Sequence, residues 1–597
     1  MAREQRLDQI ALKINGADAP RELMDALLEV TVDSSLYLPD MFVLRFHDDD
    51  LKWMDEGLFE PGAPVEIEFA KAEDEIERVM AGEITAVEPV FSTNLTATLT
   101  VRGYDRSHRL NRGTHTRVFT QVTDSDIVRK IAQEAGLRAE VESTTEVYRH
   151  VFQDNQSDLA FLQARAARIG YEVYVDDRTL HFCKPTRQGE AARLEWGQTL
   201  RGFRPRLTVA GQVDSVTVKG WDVQSKREIV GQAARSDTAP DIGVGMQGGP
   251  AAQRAFSSAR HVVVRRPVAS QPEADAVAQA LLDEINAGFV EAEGEAIGTP
   301  ALMAGRTATL SGLGNRFSGK YMVTSAVHVY SAQTGYETRF TVEGVRPTLM
   351  ADLVNGGRPA QHDAALWGGV VPAVVTNIND PDNMSRVKLK FPWLDGQLES
   401  DWARMSAAGA GDGRGLFWLP EVNDEVLVAF EHGDFNRPYV IGGLWNGQDA
   451  PPERTSEAVQ NGKVHTRTIK TRTGHVIRLV DDESGDQFIE IVDAQEGTHI
   501  KLDAKAKKLE VTCKGDIAIQ ADGAINLKAQ RDFVIEATGD LKLKGRSVKL
   551  DGDVNTDVSA GAALNLKGAQ FSAEGSATAE LKAGGNVTVR GALVQIN

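Results

Sequence analysis

Hydrophobic residues recur at every eighth position near the end of the chain, and this period restricts the fold more than any other feature. In the stretch GDIAIQADGAINLKAQRDFVIEATGDLKLKG, from Gly515 to Gly545, they alternate with turn formers such as Asp522-Gly523. The first positions of the period are Leu509, Ile517, Ile525, Phe533 and Leu541, and the positions two residues later are Val511, Ile519, Leu527, Ile535 and Leu543. Residues i and i+2 share one face of a strand, so each unit is predicted to be a short strand closed by a tight turn.

A strand this short has too little apolar surface to fold alone, so the units are predicted to stack into a solenoid. A β-helix made by one chain usually takes longer rungs, with several strands per turn. An eight-residue unit is better explained if several chains, most simply three, each supply one face. The ten residues named above are then the core of an intertwined trimeric β-helix needle over residues 501–597. A low-complexity tail is the alternative, and five consecutive units in register disfavour it.

The bulk properties of the chain restrict its class and its partners. A length of 597 residues is too great for one hydrophobic core and predicts several domains. The formal net charge of −19 disfavours nucleic acid and anionic lipid as partners. The first residues, MAREQRLDQIALKING, lack the apolar segment of a signal peptide, so assembly is expected in the cytoplasm. Cys183 and Cys513 are too few for a disulfide framework and are expected to be small buried residues.

A tryptophan-rich segment from Trp367 to Trp445 is predicted to form a small all-β domain. Five strands are expected within it, separated by Pro, Asp and Gly turns, and an OB-type barrel is the natural candidate. They are Gly368–Asn377, Arg386–Phe391, Asp401–Met405, Glu425–Glu431 and Tyr439–Leu444. The segment has six Lys and Arg against eleven Asp and Glu, which disfavours a nucleic-acid face. Trp393 and Trp418 are therefore predicted to lie in the core or an interface.

Four motifs of this segment resemble a known family. RVKLKFPWL, WARMSAAGAG, LPEVNDEVLVAFEHGD and NRPYVIGGLWNG look like the gp45/Vgr-type OB signature of VgrG proteins and related spikes of contractile injection systems. One position departs from the pattern, because Asn423 stands where the family has glycine. The resemblance implies a structural spike, a homotrimer that joins a hexameric inner tube to a puncturing needle.

The N-terminal half resembles the hub of the same spikes, the phage late-control D family. The lines RGYDRSHRLNRGTHTRVFTQVTDSDIVRKIAQEAGL and DNQSDLAFLQARAARIGYEVYVDDRTLHF carry this likeness. They predict one helix capped by Thr123 or Asp124 and ended by Gly136, and a second capped by Ser157 and ended by Gly170. A third helix is expected at Pro272–Gly288, after a flexible Gly-rich stretch.

The resemblance and the strand patterns together predict a mainly β chain. It would contain two tube-like β-barrel hub domains with a small α+β insertion, an OB-fold barrel and the trimeric β-helix. The predicted boundaries are 1–115 for the first tube-like domain, 116–190 for the insertion, 191–350 for the second tube-like domain, 351–365 for a linker, 366–450 for the OB fold, 451–500 for connecting strands and 501–597 for the needle.

No catalytic residue, cofactor or metal site is predicted from the motifs. Walker A, H-E-x-x-H and G-x-S-x-G patterns are missing from the sequence, and His47–Asp50 is interpreted as a turn beside Trp53. A peptidoglycan-degrading spike is the enzymatic alternative, but residues 450–500 are too few for an inserted lysozyme domain. A glycan-binding tailspike is a further alternative, and it would need exposed aromatic residues on the needle. Only Phe533 and Phe571 are aromatic from Lys501 onward.

The end of the needle is predicted to carry a partner. No histidine follows His499, so the tip is not expected to hold a metal ion itself. The resemblance implies a separate PAAR-like tip protein seated on Val594, Ile596 and Asn597. It also implies inner-tube and baseplate partners, toxin cargo and transient contact with a target membrane. A type VI apparatus, a phage tail and a phage-tail-like particle released from the cell share these parts, and the compact sequence favours the last.

Overall fold

The computed structural model describes residues 10–70, 76–185, 190–238, 241–243, 245–342, 368–395, 397–483 and 485–596. The chain divides into two compact units, Met1–Arg454 and Thr455–Asn597. The predicted linker 351–365 and the first two residues of the predicted OB domain lie outside the described residues. No helix among those that the structure describes is both long enough and apolar enough to cross a membrane.

The N-terminal part of the first unit is a set of antiparallel strands with alternating burial. Its strands are β1 Ile10–Ile14, β2 Ala17–Asp18, β3 Leu27–Ser35, β4 Met41–His47, β5 Pro64–Ala70, β6 Ile76–Phe91 and β7 Ala97–Tyr104, and its short helices are α1 Arg21–Asp25, α2 Lys52–Asp55 and α3 Ser107–Leu110. In β1 the sequence IALKI alternates buried and half-buried side chains, as a strand with one face on a core requires.

The α+β insertion follows, and its helix boundaries confirm the prediction. It contains β8 His115–Val122, α4 Asp124–Glu134, β9 Arg138–Val141, β10 Tyr148–Gln156, α5 Asp158–Arg168, β11 Glu172–Asp176 and β12 Thr179–Cys183. Thr123 and Asp126 form a capping box at the start of α4, and the Ser157 side chain caps α5. Gly136 and Gly170, which follow the two helices, both have positive φ values, which favour glycine after a helix.

The second hub segment returns to the first sheet. It contains β13 Glu190–Glu195, β14 Leu200–Leu207, β15 Ser215–Asp222, β16 Arg227–Ala233, β17 Asp241–Ile242, α6 Gly248–Phe256, β18 Arg260–Val263, α7 Gln271–Ala287, β19 Val290–Ile297, β20 Thr307–Ser311, α8 Gly314–Phe317, β21 Gly319–Met322, β22 Ser325–Ser331 and β23 Gly335–Val342. Strand β22 pairs with β3, so both hub segments share one eleven-stranded sheet in the order β14-β19-β23-β22-β3-β4-β7-β6-β5-β1-β2. The Gly-rich stretch predicted to be flexible contains the start of α6, which is a difference from the prediction.

The last part of the first unit is the predicted small β domain. Its elements are β24 Val370–Asn377, β25 Lys388–Lys390, β26 Arg404–Met405, β27 Ala410–Gly411, β28 Arg414–Gly415, β29 Glu425–Phe430, a 3₁₀ turn Glu431–Gly433 and β30 Pro438–Gly443. Five strands pair in the order β25-β24-β29-β30-β26. Bridges Val387↔Ala403 and Lys390↔Glu399 bring the two ends of this sheet together, so it curves into a barrel. The chain is mainly β and has the OB-type domain that the sequence predicts.

The second unit begins with a short helix and a hairpin and continues as a sheet. It contains α9 Thr455–Ala458, β31 Val459–Gln460, β32 Lys463–Val464, β33 Thr466–Lys470, β34 Val476–Asp481, β35 Gln487–Val492, β36 Thr498–Asp503 and β37 Lys508–Cys513. Strands β33 to β37 form an antiparallel meander in sequence order. The predicted needle boundary at residue 501 falls inside β36, so the meander runs into the repeat without a linker at that point.

Candidate functional site

The repeat at the end of the second unit has no backbone hydrogen-bond partners among the residues that the structure describes. From Gly515 to Ile596 the backbone N–H and C=O groups make no hydrogen bond to other described backbone groups. The backbone bends at 514–515, 522–523, 530–531 and 538–539, and again as late as 592–593. The eight-residue period is therefore a property of the backbone, and the free edges are templates for pairing with other chains.

The predicted core residues of the needle are exposed in the single chain. All ten, from Leu509 to Leu543, are between 51% and 76% exposed. Burying one such side chain completely contributes about 1.5–3 kcal/mol relative to leaving it in water. A contiguous row of large apolar side chains of this kind marks an interaction surface. The assignment of these residues to a shared core stays a prediction, because their burial requires other copies.

The meander before the repeat presents the same kind of surface. Register and side-chain alternation place one set of residues on a single side of the sheet, here called the apolar face: Ile469, Ile477, Leu479, Ile489, Ile491, Ile500, Leu502, Leu509 and Val511. All but Ile500 are at least 40% exposed. Of this set, only Leu509 and Val511 are predicted from the sequence to lie in the needle core. The alternating patterns HVIRLV and QFIEIV indicate the strands of Ile477, Leu479, Ile489 and Ile491, which fall in the predicted connecting strands 451–500.

The other face of the meander is mixed: it carries Val476, Val480, Phe488 and Val492 beside a row of charged residues. Arg478, Glu490, Lys501 and Glu510 lie opposite one another on neighbouring strands, so positive and negative charges alternate across the sheet. Arg478 Nη1 donates to Glu490 Oε1 at 2.5 Å, and His499 Nε2 lies 3.0 Å from Glu490 Oε2. Opposite charges across neighbouring strands stabilise a sheet, and Glu490 is buried among its partners. The apolar face is the more exposed of the two, so it is the face that needs a cover.

The barrel of the first unit is held by an aromatic core and a buried ion pair. Phe391, Phe430 and Phe435 pack with ring centroids 4.8–5.9 Å apart. Arg386 binds Asp380 with two bonds of 2.6 and 3.0 Å, which hold the pKa of the Asp380 carboxyl far below its usual value. These contacts fix the turn between β24 and β25.

The tryptophans of the barrel differ from the prediction in part. Trp393 is 43% exposed and Trp418 is 56% exposed, so neither is in the core of its own chain. Trp393 Nε1 donates to the carbonyl of Pro372 at 2.9 Å, which fixes its ring at the surface. Phe417, beside Trp418, is 76% exposed. The core assignment is therefore wrong for both tryptophans, and the interface assignment stays a prediction.

Two segments of the first unit match known protein families. Residues 371–445 match the family described as "Type VI secretion system/phage-baseplate injector OB domain", and residues 38–331 match the family described as "Alg8 N-terminal domain". The type VI secretion system spike protein VgrG1a of Pseudomonas aeruginosa is 33% identical over 115 residues, which are 18% of this chain and 18% of that protein. Residues 371–445 therefore have the injector OB domain of type VI secretion systems and phage baseplates, and part of the chain is similar to VgrG spike proteins.

Another relative is a protein named as a toxin. The actin cross-linking toxin VgrG1 of Vibrio cholerae is 25% identical over 172 residues, which are 26% of this chain and 16% of that protein. The matches to both relatives cover less than a fifth of the relatives' own lengths.

Comparison with solved structures gives two partial matches. An Escherichia coli component of the type VI secretion system, described as structurally similar to T4 tail proteins gp27 and gp5, has 18% identity and a TM-score of 0.45 over 72% of this chain and 99% of its own. A Francisella PdpA-VgrG complex has 8% identity and a TM-score of 0.49 over 84% of this chain and 87% of its own.

The departure at Asn423 from the family pattern has a conformational explanation. This residue has φ 78°, in the left-handed region that glycine adopts without strain. Asparagine is among the few other residues that tolerate this region. Its backbone N–H donates to the carbonyl of Val375 at 2.9 Å, so the turn before β29 is kept.

The structure describes the predicted tip residues up to Ile596. Val594 is 48% exposed and Ile596 is 91% exposed, and Asn597 lies outside the described residues. Their contact with a tip protein stays a prediction. Among the described residues, no group of three His, Cys, Asp or Glu side chains is placed to hold a metal ion.

The His47–Asp50 segment is a turn that begins at the end of β4, as predicted, and its Asp48 side chain also caps the following helix. The Asp48 carboxylate accepts hydrogen bonds from the backbone N–H groups of Trp53 at 2.9 Å and Met54 at 3.0 Å. These are two of the donors that the start of a helix leaves unsatisfied. The acidic run is thereby explained by the local fold of β4 and α2.

Both cysteines are partly buried, which is less than the full burial predicted from the sequence. Burial raises the pKa of the Cys183 thiol to about 11, which keeps it protonated near neutral pH. Cys513 ends β37, with its sulfur 3.7 Å from Thr498 Oγ1.

Two carboxylates of the first unit, Asp40 and Asp105, lie close together. Asp40 Oδ1 accepts from the backbone N–H of Ser35 at 2.8 Å, and Asp105 Oδ2 accepts from the backbone N–H of Asp40 at 3.0 Å. Burial, and secondly the charge of Asp105, raise the pKa of Asp40 to about 8. The folded chain therefore binds a proton at Asp40 more tightly than the unfolded chain does.

The substitution Asp40→Asn is expected to flatten the dependence of stability on pH. A carboxyl whose folded pKa is raised stabilises the fold below its unfolded pKa near 3.8, and this stability is lost as pH rises toward about 8. The loss is at most about 1.4 kcal/mol per pH unit. Asparagine keeps the acceptor for Ser35 without the charge. Denaturant unfolding at several pH values measures the slope, with Asp50→Asn in an exposed turn as control; equal slopes for both variants would contradict the assignment.

Proposed function

We propose that three copies of this chain form the structural central spike of a contractile injection system. In this assembly residues 501–597 form the puncturing needle, and the N-terminal half docks on the hexameric inner tube. The proposal is carried by one observation, the stretch from Gly515 to Ile596 with unpaired backbone edges and a periodic row of exposed apolar residues. The match of residues 371–445 to an injector OB domain supports the same function.

The physical argument for several chains combines hydrogen bonding with burial. A strand at the edge of a sheet presents unpaired N–H and C=O groups, and interchain ladders would satisfy them. The same ladders would bring the exposed residues of each copy to a common axis, away from water. Intertwined strands give rigidity, because no copy can separate without breaking hydrogen bonds on both sides. A spike driven by sheath contraction needs that rigidity rather than catalysis.

The proposed partners bind at the end of the needle and at the hub. The exposed Val594 and Ile596 support a PAAR-like tip protein that covers the end of the needle. One related structure contains VgrG together with PdpA, and one relative is named an actin cross-linking toxin, so carried cargo belongs to the proposal. Inner-tube and baseplate proteins are the proposed partners of the hub. The proposal also includes assembly in the cytoplasm and release within a phage-tail-like particle.

Deletion of the gene in the producing bacterium tests the function. We expect that no complete sheathed particle is seen by electron microscopy of the deletion strain, and that the wild-type gene restores particles. Complementation with Ile525→Asp should fail, while the neighbouring change Asn526→Asp, on the opposite face of the same unit, should restore assembly. Complete and contractile particles in the deletion strain would contradict a central spike. Purified protein that clears peptidoglycan in a zymogram would instead support the enzymatic alternative.

A further inference from the structure

A surface cleft of about 890 Å³ in the first unit is lined by basic side chains. His108, Arg109 and Arg112 line it, together with the carboxylate of Glu83. The chain as a whole has a formal net charge of −19, so a cluster of cations in a concave site is unusual for its surface. Concave sites with a few convergent polar groups are where small ligands and partner side chains bind.

Glu83 orients one of the arginines. Its side chain is only 6% exposed. Its carboxylate accepts hydrogen bonds from Arg109 Nε at 2.8 Å and from Arg109 Nη2 at 2.7 Å. Arg106 Nε donates to the same carboxylate at 3.1 Å, and His108 Nε2 lies 3.3 Å from it. Burial alone would raise the pKa of Glu83, but the bonds from Arg109 and His108 hold it below its usual value. The ionised carboxylate thus fixes the guanidinium plane of Arg109.

The charges of this cluster do not balance. Arg106 also binds the carboxylate of Asp177, so Glu83 and Asp177 compensate Arg106 and Arg109. Arg112 lines the cleft without an ion-pair partner among the described residues. The Arg109 side chain is 51% exposed, and its Nη1 makes no hydrogen bond within the described part of the chain. One surplus positive charge therefore remains beside an oriented guanidinium.

We propose that this cleft binds an oxyanion group, a carboxylate or a phosphate, between Arg109 and Arg112. Arginine presents its donors in a planar fork that matches both groups, and a fork held in place by Glu83 loses less freedom on binding. The oxyanion can be a free anion or an acidic side chain of a docked protein, since both offer the same atoms. The inference does not depend on the trimeric needle, because all of its residues belong to the first unit.

Isothermal titration of the full-length protein at low ionic strength tests the proposal, because salt screens exposed charges. The probes are inorganic phosphate, citrate and a hexaglutamate peptide. We expect saturable binding of at least one probe with one site per chain, and at least a tenfold weaker affinity in Arg112→Gln. The matched control is Arg204→Gln, since the Arg204 side chain is 88% exposed and lies far from this cluster in sequence.

The outcomes separate the two sources of the oxyanion. Binding of phosphate or citrate alone indicates a free anion, and binding of hexaglutamate alone indicates an acidic segment of a partner. The variant Arg112→Lys keeps the positive charge but loses the planar guanidinium with its paired donors. Its affinity for the bound probe should therefore lie between those of the wild type and Arg112→Gln. No binding of any probe, or equal losses in Arg112→Gln and Arg204→Gln, would overturn the proposal and leave the cluster as an internal ion network.

Discussion

The variant Ile525→Asp is expected to be a monomer under conditions where the wild-type chain is a trimer. Ile525 is one of the repeat residues, and it is 52% exposed in the single chain. In the proposed needle the three copies of this residue meet near one axis. Three carboxylates placed there would lose hydration without gaining partners, and each would cost several kcal/mol or would take up a proton. The apolar contacts of three isoleucine side chains would be lost at the same time.

Size-exclusion chromatography with light scattering measures the effect. The matched control is Asn526→Asp, which adds the same charge one residue later, where alternation turns the side chain to the opposite face. We expect the control to keep the oligomeric state of the wild type. If Ile525→Asp also keeps it, or if both variants become monomeric, the inward assignment of the eight-residue period is wrong.

The variant Phe152→Ala is expected to destabilise the OB barrel, although Phe152 belongs to β10 of the insertion. Phe152 is 7% exposed and packs in the core of the barrel, with its ring centroid 4.7 Å from that of Phe435. Its backbone N–H donates to Asn436 Oδ1 at 2.8 Å. Truncation of a buried phenylalanine to alanine costs about 3–5 kcal/mol. Since about 1.4 kcal/mol corresponds to a factor of ten, exchange of protected amides in β24 and β29 should accelerate about a hundredfold or more.

Hydrogen exchange followed by mass spectrometry measures this change strand by strand, which a single unfolding transition of a multidomain chain would not. Phe91→Ala is the control, because Phe91 is 64% exposed near the end of β6 and should leave exchange in the barrel unchanged. Unchanged barrel exchange in Phe152→Ala would show that the insertion does not support the barrel.

Helix caps, strands and turns, which depend on residues close together in the chain, were predictable from the sequence. Thr123 and Ser157 were expected as helix caps, and both accept the capping hydrogen bonds. The five barrel strands were expected from the strand patterns, and all are present: four are shorter than predicted, and the fifth has the predicted length but begins one residue earlier, at Pro438. Asn423 was identified as a departure, and its positive φ gives the reason that glycine is usual there. These features depend on residues that are close in the chain.

Contacts between distant segments were not predictable in the same way. The pairing of β22 with β3 joins residues about three hundred positions apart, and no local pattern reports such a partner. Phe152 lies in an ordinary alternating strand, so nothing in its neighbourhood indicates that it enters the barrel core. The apolar face of the meander was missed because its strands alternate as any half-buried sheet does.

The mass of the full-length chain, measured by native mass spectrometry at micromolar concentration, tests the central claim most directly. A spike built from three interlocked copies should have about three times the 64.8 kDa of one chain, with no monomer on dilution. A mass of one chain under these conditions would contradict the claim that the exposed repeat is one face of a trimeric needle.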